Sequence, residues 1–133
     1  MATVFTKILQ GEIPGRIIAQ NEHCFALLDI RPAQPGHTLI IPKQEVDYFF
    51  DLDEALLNEM MHFSKKVAAA IQKATGASRI GVKVVGLEVP HAHIHLIPIH
   101  HELEMDSARA VQMSATELDA MKEKIIAALG DTV

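Results

Sequence analysis

The sequence has a single cysteine, Cys24, in 133 residues, so it can form neither an internal disulfide nor a four-sulfur zinc site. No apolar run approaches the ~20 residues a spanning helix needs, which excludes a helical membrane protein. The opening stretch, 1–15, has no sustained apolar segment and no cleavage-like site, and does not read as a signal peptide. Positive charge is also scarce. Twelve Lys and Arg against seventeen Asp and Glu leave −5, which argues against a sequence-independent grip on a nucleic-acid polymer. No Gly/Ser-rich linker, charge block longer than three residues or internal period divides the chain. With 49% hydrophobic and 22% charged residues, it has the balance of one globular domain over 1–133, expected in the cytoplasm.

Histidine is what the chain has in excess. There are eight, and five lie between His91 and His101. Around them the pattern reads as a short N-terminal turn, strands, a long helix, more strands and a final helix. Residues 16–21 and 23–29 are apolar runs separated by Asn21 and Glu22, a plausible hairpin. Arg31–Gly36, with two prolines and a glycine, must turn, and 37–42 follows as a buried-looking strand stopped by Pro42. Asp51 and Glu54 have capping-box spacing, and Leu56, Met60, Phe63, Val67 and Ile71 then mark one helical stripe up to Gly76. Residues 79–85 are rich in β-branched side chains and read as a strand. Ser114 and Glu117 form a second capping box, with Leu118, Met121, Ile125 and Leu129 as the buried stripe of a helix over about 115–129. Antiparallel strands with helices on one face give an α+β domain.

Residues 91–97 alternate strictly. As a strand, they place His91, His93 and His95 on one face and Ala92, Ile94 and Leu96 on the other, with Pro98 as the stop. One histidine on a strand face is ordinarily structural; three in alternation forgo the burial that Val or Ile would provide, which favours a functional account. His100 and His101 fall in a polar stretch and read as loop, and isolated His23 and His62 as surface. Clustered histidines serve metal binding or nucleophilic catalysis. Positions i and i+4 of a strand sit roughly 13 Å apart, too far for three rings to converge comfortably on one ion. Glu88 or His37 would have to complete such a site. Spacing leans to nucleophilic catalysis.

His91-Ala92-His93-Ile94-His95-Leu96 matches the His-φ-His-φ-His-φ signature, φ being hydrophobic, of the histidine triad, or HIT, family. Residues 5–14 resemble that family's F-x-K-I-x-x-G-E-I-P stretch, 25–30 its F-A-F-x-D-I segment and 36–43 its G-H-x-L-V-I-P-K strand. The order is also the family's, and the chain is most similar to the Hint-like branch, nucleoside phosphoramidases. The resemblance implies a HIT-like fold: about five antiparallel strands, one long helix packed on them, a core over about 4–99, and a further C-terminal helix. It implies His93 as the nucleophile that takes a nucleoside monophosphate. His91 and His95 would orient it, bind phosphate or assist the leaving group, with His37 as a fourth histidine beside them. Asp29 would accept the ribose hydroxyls, with a turn-starting Asp as the competing reading of that position. Val4, Phe5, Ile8, Leu27 and Ile30 fall at the family's apolar base pocket, or are plain core. Glu88 and Val89, with His95, fall at the phosphate.

The chain departs from the family between its fourth and fifth strands. Gly86 stands near an expected Asn and Leu87 where a polar Gln would contact phosphate, with Glu88 beside it. Either the backbone N–H groups of 86–89 bind phosphate, or the substrate differs. The family's occasional zinc cysteines are absent, so no structural metal and no cofactor are expected. The expectation is a homodimer that releases AMP or GMP from a purine nucleotide substrate without a metal and touches neither membrane nor nucleic-acid polymer. Its alternatives are a dinucleoside polyphosphate hydrolase, a non-catalytic nucleotide-binding adaptor, and a zinc protein using His91, His93 and His37.

Overall fold

The computed structural model describes residues 2–130. Five strands form one antiparallel sheet in the order β1-β2-β3-β5-β4: β1 Ile17–Gln20, β2 Cys24–Leu28, β3 Thr38–Pro42, β4 Arg79–Lys83 and β5 Ile94–Ile99. The hairpin β1–β2 forms as its sequence suggests, because Asn21 Oδ1 accepts from the backbone N–H of both His23 and Cys24 at 2.9 Å.

The strands are buried on both faces at the centre. Cys24, Ala26, Leu28, Ile40, Ala92, Ile94 and Leu96 share a core with the long helix α2, Glu54–Thr75, and with α3, Ala115–Leu129. Burial pushes the Cys24 thiol up to about 11, so it remains protonated. Phe25, Leu27, Leu39 and Ile41 face the opposite way and pack with Phe5 of α1, Val4–Leu9. That six-residue helix, capped by Thr3, replaces the expected turn; it is too short to show periodicity and is held by the packing of Phe5, Ile8 and Leu9.

Five residues of the α2 stripe, Leu56, Met60, Phe63, Val67 and Ile71, are buried as their spacing requires, and Gly76 ends the helix at φ 72°. The cap differs. Asp53, not Asp51, accepts from Leu56 N–H at 2.8 Å, because 49–51 is a separate tight turn that tucks Phe49 towards the core. The Ser114–Glu117 box is reciprocal, at 2.9 and 3.1 Å, and Arg16 ties α3 to β1 through Asp119 at 2.8 Å.

The histidine segment is only partly a strand. Ladder pairing with β3 begins at Ile40–Ile94, and residues 91–93 leave it because Ala92 N–H donates to Val46 O at 2.7 Å. β4 ends at Lys83 rather than at 85 for the same reason, since its last ladder partner is His95. Pro98 does not close β5. It lies inside it, beyond the end of the β3 ladder at Thr38–Leu96, and pairs with Ile80 on one side alone.

Candidate active site

A cleft of about 550 Å³ opens on the α1 side of the sheet, between α1, the loop 84–89 and the exposed ends of β4 and β5. His93 and His95 line it; His37 and His91 lie behind, almost wholly buried. Gly36 makes the turn into His37 at φ 100°, where a Cβ would also lie 2.9 Å from Thr75 Cγ2.

The hydrogen bonds assign a proton to each ring. His93 Nδ1 lies 2.7 Å from His91 O, and a carbonyl can only accept, so Nδ1 carries hydrogen and Nε2 keeps a lone pair. His91 Nε2 donates to Pro42 O at 2.8 Å, and its Nδ1 therefore accepts from Thr3 Oγ1 at 2.6 Å. His37 Nδ1 accepts from Ala33 N–H at 3.0 Å, which puts its proton on Nε2, and that proton points to His95 Nδ1 at 2.9 Å. His95 then carries its own proton on Nε2. The two cleft histidines thus have opposite Nε2 atoms, a lone pair on His93 and an N–H on His95, with ring centroids 4.9 Å apart.

Burial is the first cause keeping His37, His91 and His95 neutral. It lowers His95 to about 3, aided by the charges of His93, His37 and Lys83, and His37 to about 4, aided by Lys83 and His93. His91 is lowered in the same sense, partly offset by the Pro42 carbonyl and Glu45. Asp29 is raised by burial, against the opposing pull of the Arg31 N–H and charge.

Every residue expected at a nucleotide site falls on or behind this cleft. Val4, Phe5, Ile8, Leu27 and Ile30 line it together, with Ile30 and Val4 exposed at the mouth and Phe5 and Leu27 also part of the core. Asp29 is a turn residue, its Oδ1 accepting from Arg31 N–H at 2.9 Å, and it also lines the cleft, with Oδ2 3.6 Å from His37 Nε2. Leu87, Glu88 and Val89 line the wall, Leu87 at its outer rim with 89% exposure. The N–H groups of 86–89 have no hydrogen-bond partner among the described residues. His91's ring does not reach the cleft; what it offers His93 is its carbonyl oxygen, which accepts from Nδ1. His23, His62, His100 and His101 are exposed, as expected.

Residues 10–102 match the HIT domain family. The chain belongs to that family. Over 129 residues it is 33% identical to an uncharacterised HIT-like protein of Methanocaldococcus jannaschii, covering 92% of this chain and 97% of the relative. It is 35% identical over 102 residues to an adenosine 5′-monophosphoramidase of Saccharomyces cerevisiae, covering 76% of this chain and 65% of that longer protein. The crystal structure of a Hit-like protein from Bartonella henselae superposes with a TM-score of 0.83 at 30% identity, over 95% of each chain.

One cluster in this HIT domain has the composition of a metal site: Asp29, His37 and His95 offer ligand atoms within 4.8 Å of one another. Its hydrogen bonds do not fit an ion. Ala33 N–H occupies His37 Nδ1 and so leaves the proton on Nε2, the atom that would have to coordinate. Two residues were not foreseen. Lys83 pairs with His95 across β4–β5 and lines the cleft, and Thr3 holds His91 from behind. Lys83's place could be read only from strand register, and Thr3's only from a contact spanning 88 positions.

Proposed function

We propose that this HIT protein hydrolyses nucleotidyl substrates, releasing a nucleoside monophosphate through a covalent nucleotidyl-histidine on His93. The observation that carries the reading is the pinned tautomer: His93 Nδ1–H on the His91 carbonyl leaves the Nε2 lone pair at the cleft. Attack forms an Nε2–phosphorus bond as the bond from phosphorus to the leaving nitrogen or oxygen breaks. The imidazole gains positive charge in that step, which strengthens its Nδ1–H bond to the carbonyl. His95 Nε2–H donates to a phosphoryl oxygen, and a leaving amine takes its proton from solvent. Water then attacks phosphorus, forming the new phosphorus–oxygen bond as the Nε2–phosphorus bond breaks; its proton passes to solvent, and the ring is freed for another cycle.

The apolar wall of Val4, Phe5, Ile8, Leu27 and Ile30 suits a purine base, and Asp29 Oδ2 suits the ribose hydroxyls. Phosphate falls to His95 and to the loop at Glu88 and Val89, whose free N–H groups stand in for a polar side chain. The reaction needs no metal, because nucleophile and donor are both fixed by hydrogen bonds. The kinship to a yeast adenosine monophosphoramidase supports the phosphoramidate as substrate. The protein is a homodimer in this reading: β4 is a sheet edge, and Val82, Val84, Val85 and Leu87 are exposed along and beyond it. Its location is cytoplasmic, in keeping with the one buried thiol and with the absence, among the described residues, of a helix long and apolar enough to cross a membrane.

Incubation with adenosine 5′-phosphoramidate, with and without chelator, tests the reading by AMP release. AMP formation unaffected by chelator is expected, together with an acid-labile AMP–protein adduct in quenched samples. No AMP from this substrate or from a dinucleoside polyphosphate would overturn hydrolysis and leave a nucleotide-binding adaptor. Loss of activity on chelation would overturn the metal-free scheme.

A further inference from the structure

The cleft is lined by two cations, Arg31 just beyond β2 and Lys83 at the far edge of the sheet, and the hydrolysis described above uses neither. Lys83 is the last residue of β4, on the edge of the sheet, and its ladder partner is His95, so the two side chains stand on the same face. Its ammonium donates to Met105 O and to Ser107 Oγ, both at 2.7 Å, and Ser107 also lines the cleft. An ammonium has three N–H donors. Two are held by neutral oxygens and the third has no partner among the described residues; no carboxylate pairs with it. A half-buried cation tethered by neutral groups holds its charge in position without cancelling it. The acids that line the cleft are Asp29, occupied by Arg31 N–H and near His37, and Glu88, exposed at the rim.

Strand order gives the cation its place along the cleft. The apolar pocket sits over β2 with α1, His93 and His95 follow at the start of β5, and Lys83 is on β4. From β2 to β4 is three strand spacings, roughly 14 Å. A nucleoside in the apolar pocket with its phosphorus at His93 therefore has Lys83 on the side away from the base, where the leaving group departs. The loop 84–89 offers no charged side chain but Glu88 for that role.

We propose that Lys83 is the specificity-determining cation of this cleft, binding an oxyanion on the leaving group so that substrates with a phosphate or nucleotide leaving group are preferred over those that release a neutral amine. This rests on the hydrolase reading and narrows its substrate class. The chemistry is that of a dinucleoside polyphosphate hydrolase, whose substrate is a polyphosphate-bridged dinucleotide. The bond broken is then phosphorus to bridging oxygen, the electron pair leaves on that oxygen, and the Lys83 N–H stabilises the charge that develops there.

The test compares kcat/KM for diadenosine triphosphate and for adenosine 5′-phosphoramidate in the wild type, Lys83→Met and Lys83→Arg. Lys83→Met is expected to cost the triphosphate roughly 10- to 100-fold and the phosphoramidate less than about threefold, with most of the loss restored by Arg. An equal loss on both substrates, or none on the triphosphate, overturns the proposal. Binding keeps the two readings apart. If the wild type releases AMP from neither substrate, the hydrolase reading fails, and Lys83 is judged by calorimetry: ADP should bind more tightly than AMP, with the difference abolished in Lys83→Met. Equal affinity for ADP and AMP in the wild type overturns the Lys83 assignment. Should Lys83→Met not fold, Ser107→Ala removes one tether and keeps the charge; it should narrow the discrimination about threefold, and unchanged discrimination counts against the tethered cation.

Discussion

The two sides of the segment 92–96 are built on different principles. Towards α2, Ala92, Ile94 and Leu96 share a core with Met60, Phe63 and Val67, held by non-directional apolar contact. Towards the cleft, His93 and His95 each depend on one hydrogen bond to Nδ1, and the chemical difference between them is only whether that partner accepts or donates. Volume decides the first side; the placement of single protons decides the second. The cleft side should lose chemistry without losing the fold, and the helix side the reverse.

The sharpest break is His93→Ala. AMP release should fall roughly a thousandfold or more, because no other lone pair at the cleft is fixed towards the phosphorus. Thermal unfolding of the variant should stay close to that of the wild type. Appreciable activity in it would remove His93 from the nucleophile's role.

On the other side, Phe63→Ala should cost about 3–5 kcal/mol in urea unfolding, the usual penalty for emptying an aromatic site in a packed core. The activity of the molecules that remain folded should change by less than about threefold if the two sides are as separable as their contacts suggest.

The same division governs what could be read from sequence. The α2 stripe and the Ser114–Glu117 box were legible because helical period and capping are local, and both recur in the structure. The alternation of 91–97 pointed to the right faces but not the right backbone. Periodicity cannot show that Ala92 N–H is drawn to Val46 O, or that the β3 ladder stops at Ile94. At the start of α2, Asp51 and Asp53 have equal capping chemistry, and the burial of Leu52 with the tight turn at 49–51 selects the second. Within the site, the cleft histidines stood out by composition. Lys83 did not, since a lysine ending a strand is unremarkable until β4 is set against β5 in register.

His37→Phe tests whether the tautomer of His95 is imposed from behind. It removes the donor to His95 Nδ1 and frees that ring to reverse its protons. kcat should fall roughly 10- to 100-fold, about 1.4–2.7 kcal/mol in the barrier, with KM little changed. Nitrogen chemical shifts of His95 should report the change of tautomer, and an unaltered tautomer would refute the relay.

The same rings set an acid limit on stability. His37 and His95 have folded values of about 4 and 3 against an ordinary 6.5, so the unfolded chain binds more protons between these values. Their contribution is complete above pH 6.5 and is lost as pH falls towards 4 and 3. Asp29, raised by burial, acts in the opposite sense. The difference between wild type and His37→Phe isolates the histidine contribution: urea midpoints of the variant should decline less steeply from pH 6.5 to 4. Parallel declines would show that His37 is not a source of the acid sensitivity.

The smallest expected effect is at Thr3, behind the cleft side. Its Oγ1 donates to His91 Nδ1 at 2.6 Å and accepts from Thr6 N–H, while its own N–H donates to Glu45 Oε1 at 2.8 Å. One side chain thereby caps α1, which carries Phe5, and steadies His91, whose carbonyl holds His93. Thr3→Val keeps the shape and removes the hydroxyl, leaving a buried ring nitrogen without a donor and a helix without its cap, at a cost of about 1–2 kcal/mol in stability. Activity should fall only a few-fold, because the His91 carbonyl is a backbone group and remains behind His93 once Pro42 O holds the ring. Thr3→Ser, which restores the hydroxyl, should recover both. A loss as large as that of His93→Ala would mean that His91's orientation depends on Thr3 rather than on Pro42, and a full recovery by Ser would locate that dependence in the hydroxyl.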